Sequence, residues 1–225
     1  MLKKYGTILL LFILPFFCSS CFEIIEEITL NPDGSGNMTI TVNLSQSRTK
    51  VASIMLMDSI NGYKVPGKQT IQNEVNQVAA RLRKTAGISN VKTTTDFNNY
   101  IGTISFNFKD VANVNNITRS ILEENKIKAS NVSTYSYNKA TGTFARDYKY
   151  YANAKAEYNK LKKEDRDVFN TATYTSIYRF PAAISKHSNT LAKVSKSQRA
   201  IMQKCSILDL INGRTSLSNQ IQLSK

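Results

Sequence analysis

The side chains that could do chemistry are few. One imidazole, His187, lies in Ile184-Ser185-Lys186-His187-Ser188-Asn189, which reads as a polar loop. A Ser/His/Asp triad would have to be built on it, and no Gly-x-Ser-x-Gly elbow is present to hold a nucleophile at a strained strand-to-helix turn. A single His with no cysteine cluster also leaves too few ligands for a closed zinc site. Carboxylates are dense only at Glu123-Glu124 and Glu164-Asp165-Arg166-Asp167. Two facing carboxyl groups would suit glycoside hydrolysis, one as the acid and the other as nucleophile or base. Both runs, however, fall where a solvated helix end is expected, and the second is surrounded by lysine, the pattern of a charged surface. The missing Trp removes the usual stacking platform for sugars, although 11 Tyr could partly replace it. Asp33 and Ser35 sit in Asn31-Pro32-Asp33-Gly34-Ser35-Gly36, where turn hydrogen bonding explains them better than calcium. A strand follows those glycines, whereas a phosphate loop needs a helix there. The reading is therefore of a protein without catalytic residues, metal ligands or cofactor, and not an enzyme. The alternative is an exported hydrolase with an unrecognised carboxylate site.

A length of 225 residues with 41% hydrophobic side chains allows one ordinary domain, or two small ones, and is too apolar for a chain disordered throughout. No period between about 20 and 50 residues repeats itself, which argues against a solenoid or array. Thirty Lys and Arg against 16 Asp and Glu give a net charge of +14, which taken alone invites a nucleic-acid reading. Where that charge points depends on the compartment.

Residues 1–20 carry no acidic group, start with Lys3 and Lys4, and run through an apolar stretch from Tyr5 to Phe17 before Cys18-Ser19-Ser20-Cys21. Basic, apolar and small-residue regions in that order predict a cleaved signal peptide. The apolar stretch is shorter than the roughly 20 residues of a spanning helix. Cleavage before Cys21 leaves small Ser19 and Ser20 behind it; cleavage before Cys18 would put bulky Phe17 in the small-residue position. Over these 21 residues the chain resembles a bacterial lipoprotein, whose lipobox ends in a Cys that is diacylated and becomes the new N-terminus. The resemblance implies that Cys21 is the lipidated residue, as with palmitate, and that the protein is held at the cell envelope, on the periplasmic face or the cell-surface side of an outer membrane. Cys18 stands where Leu is common, a looser pattern familiar from Bacteroidetes. An ordinary secretory signal, giving a soluble exported protein, is the other reading. Two or three acyl chains anchor stably, because each buried methylene contributes about 0.8 kcal/mol.

Without residues 1–20 two lysines leave and the net charge becomes +12. Only Cys21 and Cys205 remain, which excludes a disulfide framework if Cys21 is acylated. Cys205, in Ile201-Met202-Gln203-Lys204-Cys205-Ser206-Ile207-Leu208, reads as a small apolar side chain, with a reactive thiol as the alternative. Glu23, Glu26 and Glu27 look like the acidic sorting signals that send Bacteroidetes lipoproteins to the cell surface; equally, they read as the exposed side of a first strand. The positive charge gathers late, with 15 basic and 6 acidic residues over 146–225. An exported chain does not normally meet nucleic acid, so the anionic surfaces in reach are lipid headgroups and acidic glycans. The candidate contacts are Lys149, Lys155, Lys160, Lys162 and Lys163. The expected partners are the membrane, through the acyl chains, and an envelope protein or an anionic glycan or lipid. The bland alternative is a generic solvated basic surface. Asp58-Ser59-Ile60 resembles the acceptor of Bacteroidetes O-glycosylation.

The elements follow from periodicity. Glu26 to Leu30 and Asn37 to Leu44 predict a hairpin, Ile88–Phe97 and Tyr100–Phe108 a second, and residues 135–145 a third. Val51–Met57 predicts a short helix. Ile71, Val75, Val78 and Leu82 give one apolar face of an amphipathic helix that Gly87 ends. A further short helix is expected over Val114–Asn125. A helix with a basic exterior follows over residues 148–163, where Tyr151, Ala154, Tyr158 and Leu161 form a narrow apolar stripe. Strands at Thr171–Phe180 and Ala200–Leu210 close the chain. The fold class is α+β, an antiparallel sheet built from hairpins with two or three amphipathic helices packed on it. The expected organisation is residues 1–20 as signal, 21–33 as tether and first strand, 23–210 as a single domain with a candidate subdivision near 146, and 211–225 as a polar C-terminal tail, ragged at its end. The early Asn-Pro-Asp-Gly-Ser-Gly hairpin with the late Tyr178-Arg179-Phe180-Pro181 strand resembles the uncharacterised lipoprotein domains of Bacteroidetes, which implies an envelope location and no known reaction.

Overall fold

A computed structural model describes residues 22–60, 62–117, 133–150 and 152–224. The signal, Cys21 and the Glu123-Glu124 pair lie outside these residues, as does most of the helix expected over 114–125, whose first turn is described at 113–117.

The chain opens with β1 (Glu23–Leu30) and β2 (Gly36–Asn43), antiparallel neighbours in register from Glu23↔Asn43 to Leu30↔Gly36. Asp33 Oδ1 accepts from the Ser35 amide at 3.0 Å and from its hydroxyl at 2.6 Å, which is the turn chemistry expected of that loop. After α1 (Arg48–Ile54) and a small hairpin of β3 (Ser59–Ile60) and β4 (Tyr63–Lys64) comes α2 (Lys68–Lys84). The hairpin β5 (Ile88–Asp96) and β6 (Ile101–Phe108) then adds to β2. Next are β7 (Thr134–Asn138) and β8 (Thr143–Asp147), the short helices α3 (Ala152–Lys160) and α4 (Lys163–Arg166), and β9 (Thr173–Arg179). The last elements are β10 (Ile184–His187), β11 (Lys193–Val194), β12 (Ala200–Ser206), α5 (Ile207–Ile211) and β13 (Asn219–Leu223).

These strands make a wide sheet of order β11-β12-β9-β1-β2-β6-β5 and a narrow sheet of order β10-β13-β8-β7. Helices on a mostly antiparallel sheet are the expected α+β class. One pairing departs from hairpin logic: β1 and β9 run parallel, from Glu23↔Thr173 to Thr29↔Arg179. That contact joins segments about 150 residues apart, which no local periodicity reports.

Period-two alternation puts Glu26, Ile28 and Leu30 on the inner face of the wide sheet with Met38, Ile40, Ile104, Phe106, Phe108 and Tyr178. Two layers cover this face. The narrow sheet covers the β1–β9–β12 half through Phe144, fully buried, whose ring centroid lies 5.1 Å from Tyr178 and 5.4 Å from Phe180. Helix α2 covers the β5 side with Ala79 and Leu82 buried. One cluster of buried residues runs through both halves, from Leu82 and Val91 to Ile221 and Leu223.

Three expectations change here. The tail is not ragged throughout: Asn219–Leu223 is β13, between β8 and β10, with Ile221 and Leu223 buried. Its Asn-Gln-Ile-Gln-Leu sequence alternates at period two, and the intervening amides hide the pattern in any average of polarity. With β13 in place His187 lies on strand β10, opposite Ile221, and not in a loop. The basic helix is shorter than expected, and α3 buries no residue; Tyr158 only lays its ring edge-on to Phe169 at 5.5 Å.

Gly36 shows how closely β2 and β6 approach. A Cβ there would sit 2.1 Å from the Thr29 carbonyl oxygen and 2.7 Å from the Phe108 ring. Gly36→Ala is expected to destabilise the protein by about 1–3 kcal/mol through overpacking, read as a lower urea midpoint at unchanged m-value.

Candidate functional site

Between α2 and the β2–β6–β5 part of the wide sheet the packing is incomplete. The helix lays Ile71, Val75, Val78 and Leu82 toward Met38, Ile40, Ile104 and Phe106, and α1 adds Val51 and Met55. The space among them is a cavity of about 660 Å³, lined almost wholly by apolar atoms. Small-molecule sites run from about 300 to 1,000 Å³ and combine such walls with a few placed polar groups. Val42, on the wall, is 40% exposed, and Ile71, Val75 and Val78 are only half-buried.

The strand register gives its length. Glu26 on β1 lies opposite Ile40, which faces Ile104 and then Thr93; one row away Val42, Gly102 and Thr95 line up. From β1 to β5 is three strand steps, or about 14 Å at ~4.8 Å each. Apolar walls fill that distance and a polar cluster closes its β1 end.

The cluster is a buried ion pair. Arg146 of β8 reaches across from the narrow sheet and donates from Nη1 to Glu26 Oε1 at 3.1 Å, with both side chains 6% exposed. Tyr174 and Tyr178 flank the position opposite Glu26 on β9, two residues to either side of Ser176, so they reach the carboxylate diagonally. The Tyr178 hydroxyl donates to Glu26 Oε1 at 2.8 Å and accepts from Arg146 Nη1 at 2.8 Å. The Tyr174 hydroxyl donates to Glu26 Oε2 and accepts from Arg146 Nη2 at 3.1 Å. The guanidinium lies over the rings of Tyr135, its cross-strand partner, and Tyr174, at 5.3 and 5.4 Å from their centroids. Burial pushes the phenols of Tyr135, Tyr174 and Tyr178 well above their ordinary range, so they stay protonated and able to donate. Burial disfavours the charge on Arg146 too, but the surrounding phenols and Glu26 outweigh it and hold its pKa above the ordinary value. One donor is left over: Arg146 Nε is buried, has no hydrogen-bond partner among the described residues, and belongs to a residue on the cavity wall. Thr95 Oγ1, on the wall at the β5 side, is buried and unpartnered as well.

The side chains singled out by sequence lie elsewhere. His187 Nδ1 faces the Asn189 carbonyl oxygen at 3.0 Å. Glu164, Asp165 and Arg166 are on α4 and Asp167 on the turn that follows, with Glu164 and Asp167 exposed and Asp165 and Arg166 half-buried, all away from the cavity lining. Cys205 is half-buried against the Tyr174 carbonyl, and burial pushes its thiol up to about 11, which keeps it protonated and unreactive. Lys149, Lys155, Lys160, Lys162 and Lys163 are all exposed. Lys155 and Lys160, five residues apart on α3, point about 140° apart at 3.6 residues per turn, so they share no helix face. Lys160 also pairs with Glu157 at 2.7 Å. Ser59 is exposed on β3. The acids near the start correct their exposed-strand reading in part: Glu27 meets Arg179 at 2.8 Å and Glu23 meets Lys204 at 3.0 Å on the outer face, but Glu26 is buried. Among the described residues no group of three or more His, Cys, Asp and Glu side chains is placed to hold a metal ion.

Sequence reasoning missed Glu26, Arg146, Tyr174 and Tyr178, although a signal existed. Glu26 occupies the apolar register of its strand, two residues from Ile28 and four from Leu30, and Arg146 does the same two residues after Phe144. A charge on the buried face of an alternating strand has to find a buried partner.

No protein-family model matches this chain, and no curated protein matches it. Among solved structures the chain is similar to the folded domain of the Mycobacterium tuberculosis LppM protein, determined by NMR, with 11% sequence identity, 92% of each chain covered and a TM-score of 0.44.

Proposed function

We propose that this protein is a non-enzymatic binding module, tethered at an envelope membrane through Cys21, that takes an apolar small molecule into the cavity beneath α2. The observation that carries this reading is the cavity itself. A domain of this size ordinarily packs its core to crystal-like density, with few voids larger than a water molecule. About 660 Å³ of apolar space forfeits packing that the sequence could recover with larger side chains. Apolar walls with a few placed polar groups are what small-molecule sites are made of. In the same reading the charge of residues 146–225, including Lys149, Lys155, Lys160, Lys162 and Lys163, draws the tethered module toward anionic headgroups at about 1 kcal/mol per residue near the surface.

Gly102 provides the test. It lines the cavity, and a Cβ added there meets nothing within 4 Å. Gly102→Leu fills the space without a clash and replaces a flexible strand residue with one that packs. It is expected to raise unfolding stability by about 1 kcal/mol. It should also weaken binding of the neutral apolar dye N-phenylnaphthylamine by at least about tenfold, measured by fluorescence titration of residues 22–225. Dye binding equally tight in Gly102→Leu, or absent from the wild type, would sink the proposal.

A further inference from the structure

We infer that the ligand enters this cavity with an uncharged oxygen at its leading end, which accepts a hydrogen bond from Arg146 Nε; its chemical class is a long-chain alcohol, or a similar molecule ending in a hydroxyl or carbonyl group. The inference rests on the cavity being a ligand site and deepens that reading. Arg146 is buried to 6% exposure and its two terminal nitrogens are engaged with Glu26, Tyr174 and Tyr178. The Nε–H has no such partner, although the residue is part of an otherwise apolar wall. A buried donor on a guanidinium left without an acceptor is expensive, and the cavity that this residue lines is where an acceptor could be supplied.

The sign of the ligand's polar end follows from the charges already present. Arg146 is neutralised by Glu26 within hydrogen-bonding distance, so the cluster is neutral as a whole. A carboxylate or phosphate brought to Nε would place a second negative charge beside Glu26 in a low-dielectric wall, with one guanidinium to serve both. An uncharged oxygen adds the acceptor without the charge. On β5, three strand steps or about 14 Å from β1, Thr95 Oγ1 is a second buried polar atom on the cavity wall without a hydrogen-bond partner among the described residues.

The test uses three probes of one chain length, decane, decanol and decanoic acid, each titrated against residues 22–225 by displacement of N-phenylnaphthylamine at neutral pH. Decanol is expected to bind about tenfold more tightly than decane, as one hydrogen bond from a charged donor provides. Decanoate, present as its anion, is expected to bind more weakly than decanol. In the double variant Glu26→Leu with Arg146→Met the advantage of decanol over decane should disappear. Equal affinity for decane and decanol in the wild type would overturn the inference and leave the apolar site standing, with water as the partner of Nε. Decanoate binding more tightly than decanol would overturn the uncharged-end assignment. If none of the three displaced the dye, the binding-module reading would fall with it.

Discussion

Glu26→Leu alone is expected to lower the unfolding free energy by about 3–5 kcal/mol, and adding Arg146→Met is expected to recover most of that loss. The single change leaves a guanidinium 6% exposed with no anion, and Arg146 cannot shed its proton to escape the penalty. The reverse single change, Arg146→Met, leaves a carboxyl group that still accepts from the Tyr174 and Tyr178 hydroxyls. It should therefore be the milder of the two. In the double variant two apolar side chains of similar volume meet beneath the narrow sheet, and the phenols lose their acceptor. Urea denaturation of the four proteins closes the thermodynamic cycle. A coupling energy of a few kcal/mol is the expected outcome. Near-additive losses would mean that Glu26 and Arg146 do not depend on one another and that the cluster does not close the cavity.

The reason for keeping such a pair concerns position more than net stability. Well-packed apolar residues could do as well energetically, since desolvation cancels most of the Coulombic gain. Glu26 lies on β1, Tyr174 and Tyr178 on β9, and Arg146 and Tyr135 on the narrow sheet. A one-residue slip of β1 against β9 would turn Glu26 to the outer face and strand Arg146. The cluster thus fixes the parallel β1/β9 register and the seating of the narrow sheet at once. Those two relations also set where the β1 end of the cavity stands.

This explains which parts of the protein are legible in its sequence. The hairpin β5–β6 and helix α2 announce themselves by period-two and period-3.6 apolar residues and by local turn chemistry such as the Asp96 carboxylate accepting from the Asn98 and Asn99 amides at 2.8 and 3.0 Å. The β1/β9 pairing and the Glu26–Arg146 contact are set by residues 120 to 150 apart, and periodicity carries no information about which strand neighbours which. The cavity is still less legible. Ile71, Val75 and Val78 read as ordinary core residues, and only the missing volume opposite them, at Gly102 among others, turns a core face into a wall. The lysines of α3 and α4 illustrate the reverse case. They attract notice as a charge run in sequence, yet the turn angle of the helix disperses Lys155 and Lys160.

The buried phenols give the protein an alkaline limit. Tyr135, Tyr174 and Tyr178 have folded-state pKa values above the ordinary 10.0, with burial as the leading cause in each. Below pH 10 both folded and unfolded chains hold these protons, so the raised values leave stability untouched. Above pH 10 the unfolded chain releases them while the folded chain retains them. The unfolded state then binds fewer protons and stability falls as pH rises. Each phenol contributes a slope approaching about 1.4 kcal/mol per pH unit, and three together approach about 4, against a total stability of about 5–15 kcal/mol for a typical domain. The expected result is a cooperative loss of near-ultraviolet circular dichroism one to three units above pH 10. Tyrosinate absorbance from these three should rise together with that loss. The buried three ionise only with the loss of structure, because removing a phenolic proton beside Glu26 without unfolding would leave two anions facing one guanidinium. A single smooth titration of all tyrosines centred near pH 10, with the dichroism unchanged, would show that water reaches Tyr174 and Tyr178 and that the β1 end of the cavity is open.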